Sequence, residues 1–384
     1  MSRVAVSQRT IRWALSRSNL TEGELSGKFP GVWEWMAGTR RPTLRQLEGL
    51  ARATRTPLGF LFLDEPPHDS LPIPHFRTRD DDAVGTPSPD LLETVQMMER
   101  RQAWMREYLL DQGQSPLPFA GSARLDEEPT VVAQRMRRML DFGREWAAAP
   151  PTWTEAMRTL WRAMEEAGIL AIINGVVGNN THRKLDVGEF RGFVLADEYA
   201  PLVFVNGRDS KAAQMFTLAH ELAHVYFGTS AAFDLREMQP ASDTTELACN
   251  RVAAEFLVPQ AELRRVWPSL LQGDEPFQDV ARHFKVSRLV AARRALDLDL
   301  IDKSRFLEFY RAYREDELRV SASRASGGDF FASQHFRVGR RFASAVIRAA
   351  QEGQISYADA YELTGLHGAT FDKYVDSLGF ERPQ

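Results

Sequence analysis

The stretch FTLAHELAHVYFG, residues 216–228, decides how this chain is read. It sets His220 and His224 four residues apart, with Glu221 directly after the first histidine. A helix turns by about 100° per residue, so the two imidazoles share one face, a turn apart, and can grip a single ion. Glu221 projects beside that face, where a general base must stand to take a proton from a water activated by the ion. The competing explanation is a core helix that happens to carry two histidines. By chance this pattern arises in roughly one such protein per hundred. The flanking Phe216, Leu218, Ala219, Leu222, Ala223 and Val225 are small or apolar. Polar side chains on so apolar a helix are costly unless paired or metal-bound, which favours the metal.

A catalytic site of this kind needs a third protein ligand and one open position. TTELACNRVAAEFLVP, residues 244–259, offers one, because Glu246 and Asn250 are four apart and share a helical face. Glu246 is placed to ligate, while Asn250 holds a ligand from behind. Glu255 lies nine positions after Glu246, half a turn out of phase, and cannot point at the same ion. Asp243 shares the face of Glu246 and is the alternative. Cys249 is soft enough for zinc but faces about 100° away from Asn250 and reads as a small core residue. His182, His283 and His335 are available to assist a transition state, without a pattern that singles them out. Tyr226 and Arg251 sit near the two motifs and read as structural. Nitrogen and carboxylate donors suit zinc best, although manganese or iron can fill the same ligands.

The rest of the sequence sets bounds. With 384 residues, two or three domains are expected. A net charge of −4 excludes a global basic field for nucleic acid, so any DNA contact is local. The single cysteine excludes an intramolecular disulfide and a thiolate zinc cage. The start, MSRVAVSQRT, lacks the apolar stretch of a secretion signal, and no run is long enough to cross a bilayer. The expectation is a soluble, cytoplasmic protein.

Residues 8–63 read as helices, with Thr21 and Thr43 as caps three residues before Glu24 and Gln46. The segment 66–90 carries six prolines and reads as a linker or a strap, with Leu71, Ile73 and Phe76 apolar enough to dock. Helices are expected over 89–112, 129–148 and 152–167, then three short strands at 169–177, 190–196 and 201–206. Helices over 209–227 and 242–258 carry the two motifs. A helix–turn–helix-like pair at 276–298, a helix to 318, a Ser/Gly-rich joint at 321–329 and a small helical unit at 330–380 follow. The fold class is α+β, mostly helical. The domain map is 1–65, the linker 66–90, a central domain 91–320 (helical lead-in 91–150, motif region 151–300), and a C-terminal helical domain 330–384.

FTLAHELAHVYFG followed by ELACNRVAAEFLVP resembles the ImmA/IrrE family of bacterial zinc metallopeptidases, over about 150–300. The resemblance implies a zincin-like central domain with a short sheet, His220, His224 and Glu246 as zinc ligands, and Glu221 as catalytic acid/base. Ala223 stands where a glycine is common in such motifs. Members typically cleave or otherwise inactivate one specific transcriptional repressor, and the longer ones often sit in toxin–antitoxin pairs, which implies a possible toxin partner. LTEGEL (20–25), WEWMAGTRRPT (33–43) and LEGLARATRTPLGFLF (47–62) resemble Xre/Cro-type helix–turn–helix domains. Here only SGKFPGV separates Leu25 from Trp33, which leaves about one helical turn where base reading needs a full helix in the major groove. Arg40, Arg41 and Arg45 can contact phosphate or a partner protein, which positions without specifying sequence. Arg337, Arg340, Arg341 and Arg348 can track phosphate from the C-terminal unit.

The expectation is a zinc-dependent endopeptidase of narrow specificity acting on a regulatory protein. The alternative is a transcriptional regulator or antitoxin that binds a partner protein or DNA, with the zinc site structural or inactive.

Overall fold

Two Thr-x-x-Glu/Gln signals open the first helices. The computed structural model of the chain describes residues 3–18, 20–67, 87–233, 244–270, 273, 275–320 and 330–380. Leu71, Ile73 and Phe76 of the expected strap, Asp243 and the joint 321–329 lie outside the described residues. The described residues form two compact units, 3–67 with 87–96, and 97–380.

The first unit holds α1 (Gln8–Ser16), α2 (Glu22–Lys28), α3 (Val32–Ala37), α4 (Leu44–Thr54) and a 3-10 turn at Leu58–Phe62. Thr21 and Thr43 each close a reciprocal capping box, with Glu24 and Gln46. Ile11, Leu15, Leu25, Val32, Trp35 and Leu50 form one buried cluster. α3 has six residues, and Val32 and Trp35 face inward. A long helix, α5 (Pro89–Asp111), follows.

In the second unit α6 (Pro129–Met139) and α7 (Trp153–Glu166) lead into β1 (Leu170–Asn174), β2 (Val176–Val177), β3 (Asn180–Lys184), β4 (Gly192–Leu195) and β5 (Leu202–Asn206). α8 (Lys211–Phe227), β6 (Ala231–Phe233) and α9 (Thr244–Leu257) carry the motifs. α10 (Gln260–Leu270), α11 (Pro276–Phe284), α12 (Arg288–Asp297) and α13 (Lys303–Val320) follow. α14 (Phe330–Val338), α15 (Arg340–Gln351), α16 (Tyr357–Thr364) and α17 (Ala369–Ser377) end the chain. The fold is mostly helical with a small sheet, as the α+β expectation has it.

The sheet order is β1-β5-β4-β6, with β1 and β5 parallel and the other pairs antiparallel. β1, β4 and β5 are buried at every residue, which explains why they read as apolar runs without alternation. Val203 and Val205 of β5 join the core shared with α7 and α8, while Phe204 stacks on Phe193 with ring centroids 4.8 Å apart.

The structure departs from the sequence reading at the end of one helix and in the first strands, and it adds β3, β6 and α10. The helix expected to reach 148 stops at Met139, because Asp141 adopts a left-handed φ of 55° and Phe142 N returns to Arg137 O at 2.8 Å. Phe142 and Trp146 then stack at 4.2 Å and pack on Phe256. The single strand 169–177 is two, and β2 pairs with β3, whose residues NTHRK include no apolar side chain to signal a strand.

The C-terminal helices dock through buried polar groups. Arg101 donates to Leu363 O, Arg337 O and Thr364 O at 2.9, 3.1 and 3.2 Å, which satisfies carbonyls at the ends of α14 and α16. The Glu165 carboxylate accepts from Arg340 N at 3.0 Å and Arg341 N at 3.4 Å, at the start of α15.

Candidate metal centre

α8 is buried along thirteen consecutive residues, Gln214 to Tyr226, as an apolar helix at the centre of a domain must be. The Ser210 side chain caps its start by accepting from Ala213 N at 3.2 Å. Gln214 donates to Gly207 O and Asp209 O, tying the same end to the turn after β5. At the other end the peptide from Gly121 to Ala123 supplies donors: Gly121 N to Val225 O at 2.9 Å and Ala123 N to Tyr226 O at 2.8 Å.

α9 lies against α8 and carries Glu246 to the histidines. His220 Nε2 is 3.2 Å from Glu246 Oε2, His224 Nε2 is 3.0 Å from Glu246 Oε1, and the two Nε2 atoms are 3.1 Å apart. All three side chains are buried. Their outer nitrogens are held from behind: His220 Nδ1 lies 3.1 Å from Asn250 Oδ1, and His224 Nδ1 lies 2.9 Å from Thr229 Oγ1. Each imidazole therefore turns Nε2 toward a shared point. Four tetrahedral donors bonded at zinc distances stand about 3.4 Å apart, a few tenths of an ångström wider than these edges.

The electrostatics fit a cation. Burial lowers the His220 pKa, against the raising effect of Glu246, and the neutral imidazole is the form that ligates. Burial pushes the Glu246 carboxyl up, but hydrogen bonds from the two imidazoles, and their charge when protonated, outweigh it and hold it at about 2, so it is ionised. Glu221 is fully buried, and neither carboxylate oxygen has a hydrogen-bond partner among the described residues. Burial first, then the charge of Glu246, raises its pKa well above the usual range. A buried carboxyl without a partner beside two histidines and a second carboxylate is expensive, and a bound cation with its water would satisfy it.

Gly192 makes room for this carboxyl. A Cβ at that position would lie 3.1 Å from Glu221 Oε1 and 2.8 Å from Phe204 O. Neither Gly192 nor Thr229 carries a signal in the sequence, since one lies 29 residues upstream of Glu221 and the other follows the helix end.

The other sequence candidates lie elsewhere. Glu255 pairs with Arg294 of α12 and accepts from Gln260 N at 3.1 Å, so it caps α10. Cys249 is fully buried in the core. Tyr226 stacks on Phe119 at 5.6 Å within the core, and Arg251 is exposed. His182 is exposed on β3, His283 lies 3.6 Å from Glu262, and the ring of His335 lies 5.4 Å from Tyr374. Arg40, Arg41 and Arg45 are exposed on the first unit, and Arg40 pairs with Glu34 at 3.1 Å. Of the C-terminal arginines, Arg340 and Arg348 are exposed while Arg337 and Arg341 are half-buried, so they form no continuous surface stripe.

No helix among the described residues is long and apolar enough to cross a membrane. No curated protein and no solved structure gives a match. Residues 338–377, from the end of α14 to the end of α17, match a domain of unknown function (DUF8813). Residues 165–296 match the family model described as the IrrE N-terminal-like domain (Peptidase_M78). The stretch from the end of α7 into α12, which holds His220, Glu221, His224 and Glu246, is thus similar to a metallopeptidase-family domain.

Proposed function

We propose that this chain is a zinc-dependent endopeptidase of narrow specificity whose substrate is a regulatory protein. His220, His224 and Glu246 would hold the ion, with Asn250 orienting His220. A zinc ion in such a site supplies a Lewis acid that polarises a peptide carbonyl and makes water a nucleophile near neutral pH. Glu221 accepts the proton of the attacking water and delivers it to the departing amine. No other described group holds either of its oxygens, so the carboxylate is free to carry that proton from one to the other.

The observation that carries this reading is the unpartnered, buried Glu221 carboxyl beside the His-His-Glu group. A purely structural zinc site has no use for such a group and tends to be closed by four protein ligands. Among the described residues the group offers three. The six-residue α3 suits the first unit to binding protein rather than reading bases. Arg40, Arg41 and Arg45 would supply contacts to that partner or to phosphate. A toxin or repressor partner rests on the family resemblance alone.

The test is metal content by elemental analysis of wild type, Glu221→Gln and His224→Ala. Each is then incubated with lysate of the source organism, and new N-termini are labelled and read. Zinc near one per chain in wild type and Glu221→Gln, its loss in His224→Ala, and cleavage by wild type alone are expected. Zinc without cleavage that depends on Glu221 would favour the partner-binding alternative. Metal in none of the three would end the metal-centre reading.

A further inference from the structure

His224 lies in the last turn of α8, and the turn that ends the helix returns to its ring. Gly228 takes a left-handed φ of +69°, which folds the next residue back over the helix end. Thr229 N then donates to His224 O at 3.1 Å, and Thr229 Oγ1 comes to 2.9 Å from His224 Nδ1. A single residue thus holds both the backbone and the ring of one histidine. The turn is itself fixed on two sides. Ser230 Oγ accepts from Ala196 N at 2.9 Å, just past the end of β4. Gly228 packs so closely on Gly121 that a Cβ would lie 3.2 Å from Gly121 Cα.

Resting on the metal-centre reading above, we propose that Thr229 is a positioning residue for that centre. Its hydroxyl accepts the Nδ1 proton of His224, which leaves Nε2 unprotonated and aims that lone pair at the point shared with His220 and Glu246. His220 has Asn250 Oδ1 in the equivalent place, so each imidazole is oriented by a neutral acceptor of its own. Without the hydroxyl nothing opposes the other tautomer, whose proton on Nε2 blocks ligation.

The test is a competitive titration of the full-length chain with zinc chloride against a chromogenic chelator. Wild type, Thr229→Val and Thr229→Ser are compared, and the melting temperature of each metal-free protein is recorded alongside. Valine keeps the shape and removes the acceptor, so zinc affinity should fall by about 10- to 100-fold while the metal-free melting temperature stays put. Serine keeps the acceptor and should bind within a few-fold of wild type. If the valine variant does not fold, Thr229→Ala carries the same comparison. Equal affinity in the valine variant, or a loss that serine does not rescue, would overturn the assignment while leaving the metal centre intact. Wild type that takes up no zinc would overturn both, and that outcome is seen without any variant.

Discussion

A methyl group on residue 192 has nowhere to go. Built on the present backbone, it would lie 2.5 Å from Thr217 Cγ2 and 2.8 Å from Phe204 O, as well as 3.1 Å from Glu221 Oε1. Carbon atoms pack at about 3.5–4.0 Å, so α8 and β4 must part by about 1 Å. The strand is poorly placed to yield, because Gly192 is paired on both sides, with Val205 of β5 and Phe233 of β6. Overpacking of this kind costs about 1–3 kcal/mol, and the backbone entropy regained from replacing a strand glycine returns less than about 1 kcal/mol. Gly192→Ala should therefore destabilise the second unit by about 1–2 kcal/mol, a fall of roughly 2–8 °C in Tm. Thermal melts of the full chain measure it. Thr217→Ser removes the methyl that collides, at a cost of about 1 kcal/mol when made alone. Combined with Gly192→Ala it should cost less than the sum of the two single changes, because the tightest of the three contacts is then relieved. A Gly192→Ala protein that melts with wild type, or two costs that simply add, would refute the close approach of strand and helix.

Two further outcomes follow from buried charges. Arg294→Met strands the Glu255 carboxylate in the core and should cost about 3–5 kcal/mol in urea unfolding. Adding Glu255→Gln should restore much of that, and a single variant as stable as wild type would contradict the pairing. Glu165 should make stability depend on pH, because burial, outweighing two backbone N–H donors, raises its pKa from 4.5 to about 8. An acid raised in the folded state contributes stability that is complete below about 4.5 and lost as pH climbs through about 8. Between those values wild type should lose up to about 5 kcal/mol relative to Glu165→Gln, and parallel stability curves for the two proteins would dispose of the idea.

Helical spacing is the part of this molecule that the sequence displays openly. His220 and His224, like Glu246 and Asn250, are four apart, and a helix converts that interval directly into a shared face. The two capping boxes were legible for the same reason, since both partners lie within one turn. Strands were harder. β3 is polar throughout and exposed at four of its five residues, so no alternation marks it, and the break at Gly175 divides what reads as one apolar run. The contacts that finish the site were not legible at all. Gly192 reaches Glu221 only through the register of β4 against β5, and Glu255 meets Arg294 across 39 residues of chain. Thr229 follows a left-handed glycine, where periodicity no longer predicts which way a side chain points.

The peptide around Gly121 bears on how this protein could be divided. Val225 and Tyr226 sit at the end of the histidine helix, and their carbonyls are satisfied by Gly121 and Ala123, while Phe119 covers the Tyr226 ring. Val132, Ala133 and Met136 of α6 belong to the same core. Phe119, Gly121, Ala123 and these α6 residues all precede residue 165, where the similarity to a metallopeptidase-family domain begins. A fragment cut to that boundary would keep every candidate ligand yet expose apolar surface, leave the Tyr226 carbonyl without its donor, and leave the Val225 carbonyl with Gly228 N alone. The portable unit is accordingly larger than the recognisable one, and an excised or transplanted centre needs the preceding residues from Phe119 onward.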